Sequence, residues 1–200
     1  GEALHWGATT QDIMDTGAVL QLKDANAVVV RDLTHTLELL KDLASRHKHT
    51  IQAGRTHGQQ ALPITFGYKV AVWAAEVKRH LQRIEQMSAR VFQGQFGGAV
   101  GTLASIGEPG LRLQELMFAD LDLAVPEIAW HTARDGLAEL VCVYAMIGGT
   151  LAKMMNEVVT LQRSEIAELE EPFHMGKVGS STMPHKRNPM MSEGVIAVSR

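Results

Sequence analysis

Residues 137–158 read LAELVCVYAMIGGTLAKMMNEV. Within them Leu137, Leu140, Tyr144, Ile147, Leu151, Met154 and Val158 follow one another at steps of three and four. Steps averaging about 3.5 keep one apolar seam turned toward a partner helix, as in coiled coils and bundles. Two more stretches carry the same signature. From Asp12 to Arg46 the only breaker is Gly17, and Leu33, Leu37, Leu40 and Ala44 repeat the spacing. From about Thr65 to Val91, Val70, Trp73, Val77, Ile84, Met87 and Val91 form one stripe interrupted by His80. A short amphipathic helix is expected near Leu111 to Leu121. No stretch shows a convincing two-residue alternation, so no strand is expected. The fold class that follows is all-α, a long-helix bundle.

The three main helices would be roughly 25–35 residues long, against a globular mean of about 11–12. At 1.5 Å per residue they reach about 40–50 Å. A small monomer has nowhere to bury such lengths, whereas long bundles shared between subunits do.

Composition narrows the function classes. The chain has 200 residues with 19 basic and 22 acidic side chains, a formal net charge of -3. That balance argues against a nucleic-acid binder relying on a general basic patch. Hydrophobic residues make up 46% and charged residues 20%, which is a folding composition rather than a disordered one. Cys142 is the one cysteine, so there is no intramolecular disulfide and no cysteine-based zinc site. No histidine pair has metal-ligand spacing with a supporting carboxylate. Gly1-Glu2-Ala3 does not read as a signal peptide, and the apolar run from Leu140 to Ala152 is too short to span a bilayer before it meets Lys153. A cytoplasmic protein without membrane or nucleic-acid partners is the expectation. Both ends read as interior sequence. Residues 1–200 are therefore expected to be one central helical-bundle domain of a longer protein, with smaller N-terminal and C-terminal domains missing.

Three polar loops interrupt the helices. The third, 176–189, reads GKVGSSTMPHKRNP. Gly179 before two serines permits backbone conformations closed to other residues, and successive amides there could form an anion-binding nest. Lys186 and Asn188 add a point charge and an amide donor. The loop suits a carboxylate or phosphate; a surface loop with scattered polar residues has the same composition. The second loop, Gln52–Pro63, holds Arg55, Thr56 and His57. A histidine titrating near neutrality is a candidate acid or base, or simply solvated. The first loop, His5–Asp12, holds Thr9 and Thr10, which are ordinary N-cap candidates beside a helix N-terminus that also attracts anions. A glycine-rich turn, Gly94–Thr102, ends the second helix. It follows no strand, so a dinucleotide fingerprint is rejected. His80, inside an apolar stripe, reads as a hydrogen-bonded packing residue.

Taken together, the loops resemble a known family. The run GSSTMPHKRNP at 179–189 closely resembles the signature of the fumarase/aspartase superfamily. Gly54-Arg55-Thr56-His57 is similar to that group's second conserved region, and the Thr9-Thr10 loop to its first. The resemblance covers essentially the whole chain and matches the central helical domain. Within the group the chain looks most like the adenylosuccinate lyase and 3-carboxy-cis,cis-muconate cycloisomerase branch. His5–Asp12, Phe96–Thr102 and Trp130–Asp135 look like the cycloisomerase. His57 departs from it, because cycloisomerases usually carry Trp there whereas lyases releasing fumarate keep His. Where the lyases usually keep a substrate-binding Gln, this chain has Trp130-His131.

The resemblance implies a mechanism. Ser180 would be the general base, removing a proton from the carbon next to a substrate carboxylate. Lys186, Asn188, Thr9, Thr10 and Thr56 would bind the substrate and the aci-carboxylate that forms. His57 would protonate or position the leaving group, with Glu193 as its carboxylate partner. The catalytic set is then Ser180, His57 and Glu193, with no metal and no organic cofactor. The substrate class is a small molecule containing a dicarboxylate. The resemblance further implies a homotetramer whose active sites are shared between subunits. It favours β-elimination of fumarate from a succinyl-substituted amine. The alternatives are cyclisation of 3-carboxy-cis,cis-muconate and a catalytically inactive structural relative.

Overall fold

The computed structural model describes residues 4–172 and 179–199. Its elements in chain order are α1 (Thr10–Arg46), β1 (Ile51–Thr56), β2 (Gln59–Thr65), α2 (Phe66–Val91), α3 (Gly110–Asp120), α4 (Asp135–Leu161) and α5 (Met190–Val198). The helix-rich architecture agrees with the reading of the sequence, and three of the helices have 37, 26 and 27 residues. Gly176, Lys177 and Val178, the start of the third loop, lie outside the described residues. The chain divides into two compact units: Gly1–Thr34 with Leu81–Val143, and His35–His80 with Tyr144–Arg200.

In the first unit the helical stripes supply Val19, Leu33, Ile84, Met87, Val91, Leu140 and Val143 to the interior. The glycine-rich turn after α2 is interior too: residues 94–98 are all buried. A Cβ at Gly94 would lie 2.1 Å from the fully buried Phe118 ring of α3, so only glycine lets the turn lie on that ring. The side-chain amide of Gln114 donates to the Phe96 carbonyl and closes the turn onto α3. Pro109 precedes α3, where a fixed φ costs nothing and the missing N–H is one the helix does not need.

In the second unit Leu40, Phe66, Val70, Trp73, Val77, Ile147, Met154 and Leu161 are buried. Phe66 meets Trp73 and His47 edge to face, at ring-centroid distances of 6.5 and 5.3 Å. The part of the α4 seam in this unit is turned from solvent: Ile147 and Met154 are buried, and Tyr144, Leu151 and Val158 are half-buried. His80 is buried with Nε2 2.8 Å from Thr150 Oγ1, as its packing role requires. Lys69 with Glu157, and Lys153 with Glu76, pair α2 with α4. By length and composition α4 is long and apolar enough to cross a membrane. The run Leu140–Ala152 understates it, because the helix continues past Lys153 to Leu161. Here α2 lies along it, and these ion pairs are the contacts of a bundle helix.

The hairpin is where the structure departs from the expected loop. β1 and β2 pair antiparallel, Ile51 opposite Thr65 and Thr56 opposite Gln59, with a register shift between Ala53 and Arg55. The alternation that betrays a strand comes from one face being buried. This ribbon is largely exposed, with Gln52 as its one buried position, so hydrophobicity alternates hardly at all. Gly54 and Pro63 further disguise it. The backbone still has reason to pair: Phe66 N–H bonds to the Thr50 carbonyl at 2.9 Å and fixes the ends of the ribbon between α1 and α2.

Candidate functional site

In the second unit, the hairpin turn presents His57. His57 and Gly58 have φ of 53° and 73°, the two consecutive left-handed residues of a type I′ turn. Glycine adopts that conformation freely, whereas histidine does so uncommonly. The turn leaves the His57 side chain exposed beside Thr56, the last residue of β1. Behind it, Arg55 grips Glu168 with both terminal guanidinium nitrogens, one contact at 3.1 Å, and Gln52 Nε2 donates to the same carboxylate at 2.8 Å. These are not loose surface charges: the Arg55 side chain is 15% exposed and that of Glu168 25%. The Arg55 hydrogen bond, joined by that of Gln52, holds the Glu168 carboxyl below the usual carboxylate range against the opposing effect of its burial.

The signature loop bends around Ser180. Gly179 is buried and Ser180 half-buried. Met183 N–H donates to Ser180 Oγ at 3.2 Å and Thr182 N–H at 3.4 Å. Two amides aimed at one hydroxyl oxygen are donors that would face negative charge developing on it. Ser181 is exposed. Further along, Lys186, Asn188 and Glu193 line a common cleft of about 840 Å³ together with Arg163, Glu168 and Glu170. Glu193 sits in the first turn of α5, where a carboxylate is favoured by the helix dipole. Three of the expected site residues are thus brought together in one cleft. His57 and Glu193 share no hydrogen bond in the described residues.

In the first unit, Thr9 and Thr10 stand at the start of α1. The organising group there is Asp12, 1% exposed. Its carboxylate accepts hydrogen bonds from Thr9 N–H at 2.9 Å and from Gly97 N–H and Gly98 N–H at 3.0 Å each, and lies 2.6 Å from His131 Nε2. The bond to Thr9 is the carboxylate half of a capping box. The others tie the Thr9-Thr10 loop to the buried glycine turn. A Cβ at Gly98, whose φ is +75°, would stand 2.7 Å from the Gly7 carbonyl. Next to this, Arg134 donates to Asp15 at 2.8 Å and lies over the Trp130 ring. Asp12 could be suspected from its place at the third helical position. Its partners on residues 97, 98 and 131 follow no local spacing rule.

Comparison with known proteins gives a consistent answer. A family model described as "Lyase" matches residues 1–200. The N-acetyl-S-(2-succino)cysteine lyase of Enterococcus italicus is 51% identical over 199 residues, covering 100% of this chain and 44% of that protein. The adenylosuccinate lyase of Pyrococcus abyssi is 45% identical over 201 residues, covering 100% of this chain and 45% of the relative. Among solved structures, the 3-carboxy-cis,cis-muconate lactonizing enzyme of Pseudomonas putida superposes with a TM-score of 0.92 at 39% identity, over 99% of this chain and 43% of that one. The chain therefore spans less than half the length of the relatives it matches. Its helices, its signature loop and these likenesses over its whole length agree: the chain belongs to the fumarase/aspartase superfamily of lyases.

Proposed function

We propose that the protein releases fumarate by β-elimination from a 2-succinyl thioether of the N-acyl-S-(2-succino)cysteine type. The observation that supports the elimination is Ser180 Oγ under the Thr182 and Met183 amides, two donors that would stabilise an alkoxide there. Ser180 takes the proton from the methylene carbon, which bears one carboxylate and adjoins the carbon bonded to sulfur. The carbanion's charge passes into that carboxylate as an aci-carboxylate, which Lys186 and Asn188 face from the cleft. The electron pair then returns to form the double bond of fumarate, and the C–S bond breaks with its pair going to sulfur. His57, oriented by Glu193, supplies or steers the proton that makes the departing thiolate a thiol. Preorganised donors facing the developing charge lower the barrier most. None of these steps asks for a metal or an organic cofactor.

The likeness at 51% to a lyase of that substrate supports sulfur as the leaving atom in place of the amine expected from sequence. A succinyl amine is the second reading, favoured by His57. An amine leaves poorly as an anion and needs an acid, whereas a thiol of pKa about 8.5 leaves with little help. Thr9 and Thr10 would reach the substrate from a neighbouring subunit, as would one member of the His57–Glu193 pair. We accordingly propose a homotetramer, and light scattering that gives a monomer for the full-length protein would refute that part. The decisive experiment gives the full-length enzyme N-acetyl-S-(2-succino)cysteine, adenylosuccinate and 3-carboxy-cis,cis-muconate in parallel. Fumarate is followed by its ultraviolet absorbance and lactone by chromatography. Thioether turnover well above the other two supports the reading, and efficient lactonisation with no fumarate from either succinyl substrate overturns it.

A further inference from the structure

The connector between α4 and the signature loop, residues 162–171, reaches every piece of the second unit that carries a proposed site residue. Glu168 holds the hairpin through Arg55 and Gln52. Gln162 Nε2 donates to the Arg187 carbonyl at 3.0 Å, and Glu170 pairs with the Arg187 guanidinium, so the loop is fastened next to Lys186 and Asn188. Glu171, 8% exposed, accepts from Ser192 N–H and Ser192 Oγ at 2.7 Å each and from Met191 N–H at 3.2 Å. These are the unsatisfied amides of the first turn of α5, next to Glu193. Gln162 Oε1 in turn accepts Glu171 N–H at 3.0 Å, so the two ends of the connector brace each other.

We propose that Glu168 and Glu171 are positioning residues for the elimination: Glu168 fixes the hairpin that presents His57, and Glu171 fixes the helix that presents Glu193. The inference rests on the catalytic roles given above to His57 and Glu193. The physical case is one of lever arms. His57 sits at the free end of a two-stranded ribbon, and an isolated ribbon is marginal in water. The Arg55–Glu168 fork acts on β1 one residue from the turn, where it constrains the His57 backbone most. A side chain misplaced by about 1 Å can cost on the order of 10²-fold in rate. A planar guanidinium in a two-pronged pair supplies directional restraint that a single contact does not. Glu171 acts likewise, since an α5 start that frays would let Glu193 swing with it.

The test uses Glu168→Gln, Glu171→Gln and His57→Ala in the full-length enzyme, singly and with each glutamate change added to His57→Ala. Hydrogen exchange reads the clamp without reference to activity. Glu168→Gln should speed exchange in the 51–65 hairpin about tenfold or more and leave 190–198 unchanged, and Glu171→Gln should do the reverse. Turnover of the succinyl substrate that best supports activity reads the consequence. Each glutamate variant should lower kcat about threefold or more with KM changed less than about threefold, Glu168→Gln should cost no more than His57→Ala does on the same substrate, and in the His57→Ala background Glu168→Gln should cost no more than about twofold. Unchanged hairpin exchange in Glu168→Gln, or its full kcat cost persisting without His57, overturns the proposal. If the wild-type enzyme releases no fumarate, it is the functional reading that fails, and the exchange data still decide whether the two clamps exist.

Discussion

Replacing Asp12 by alanine should be among the most damaging single changes in the first unit. The carboxylate is 1% exposed and serves Thr9 N–H, Gly97 N–H, Gly98 N–H and His131 Nε2. Gly97 and Gly98 are themselves buried, so at least two amide donors would lose their acceptor with no solvent at hand. An orphaned buried donor costs about 1–3 kcal/mol, so the two glycine amides together cost about 2–6 kcal/mol. Water entering the space left by the carboxylate would recover part of that cost. The expected net loss is about 3–5 kcal/mol, against a typical total stability of about 5–15 kcal/mol. Asp12→Asn keeps one acceptor oxygen but turns an NH₂ toward an N–H donor, and should lose about 2–3 kcal/mol. Urea unfolding of wild type and both variants at one protomer concentration measures the difference, since assembly would couple stability to concentration. A loss below about 1 kcal/mol for Asp12→Ala would show that the glycine turn and the Thr9 loop stand without this carboxylate, contrary to the reasoning from buried donors.

Three further outcomes are expected. Ser180→Ala should cut turnover about 10²–10⁴-fold while substrate still binds, and Ser181→Ala should be much milder; a Ser180→Ala enzyme keeping a tenth of wild-type turnover would remove Ser180 as the base. His57→Ala should cost less than about tenfold with a thioether and about a hundredfold or more with a succinyl amine, so equal losses on both would deny His57 a role at the leaving group. Glu168 has a folded-state pKa below its unfolded value of about 4.3, so its contribution to stability is present above that pH and is lost as pH falls through the folded value. The acid limb of the stability curve should therefore flatten in Glu168→Gln, and an unchanged limb would contradict the Arg55 pairing.

The helices were legible because a buried stripe on a long helix writes itself into the spacing of Val70, Trp73, Val77, Ile84, Met87 and Val91, all of which are buried. The signature loop was legible as a motif, and Ser180, Lys186 and Asn188 stood out on it for their chemistry. The hairpin was not, because its exposed faces exert no pressure toward alternation and its turn uses His-Gly in place of the usual Asn-Gly. Nor were the braces. Asp12 reaches partners 85, 86 and 119 residues away, and Gln52 and Arg55 meet Glu168 across 116 and 113 residues. Such pairs answer to the three-dimensional path of the chain, and no local periodicity encodes them. Trp130-His131, conspicuous in the sequence for standing where lyases keep a glutamine, turns out to put His131 on Asp12 and the Trp130 indole N–H on the Gly94 carbonyl at 2.9 Å.

The ribbon between α1 and α2 also bears on how such a protein stays dispersed in a crowded solution. Two paired strands with no third neighbour among the described residues present open edges, and an open edge is a template on which other chains can lengthen a sheet. This ribbon is poorly suited to that. Pro63, opposite Ala53, removes one donor from the row, and the irregularity at Gly54 breaks the even spacing that an incoming strand would need. A Cβ at Gly54 would lie 2.6 Å from the Leu62 carbonyl, so a side chain there would have to push the two strands apart. The same two residues that hid the strands from a reading of the sequence keep an exposed sheet from recruiting copies of itself.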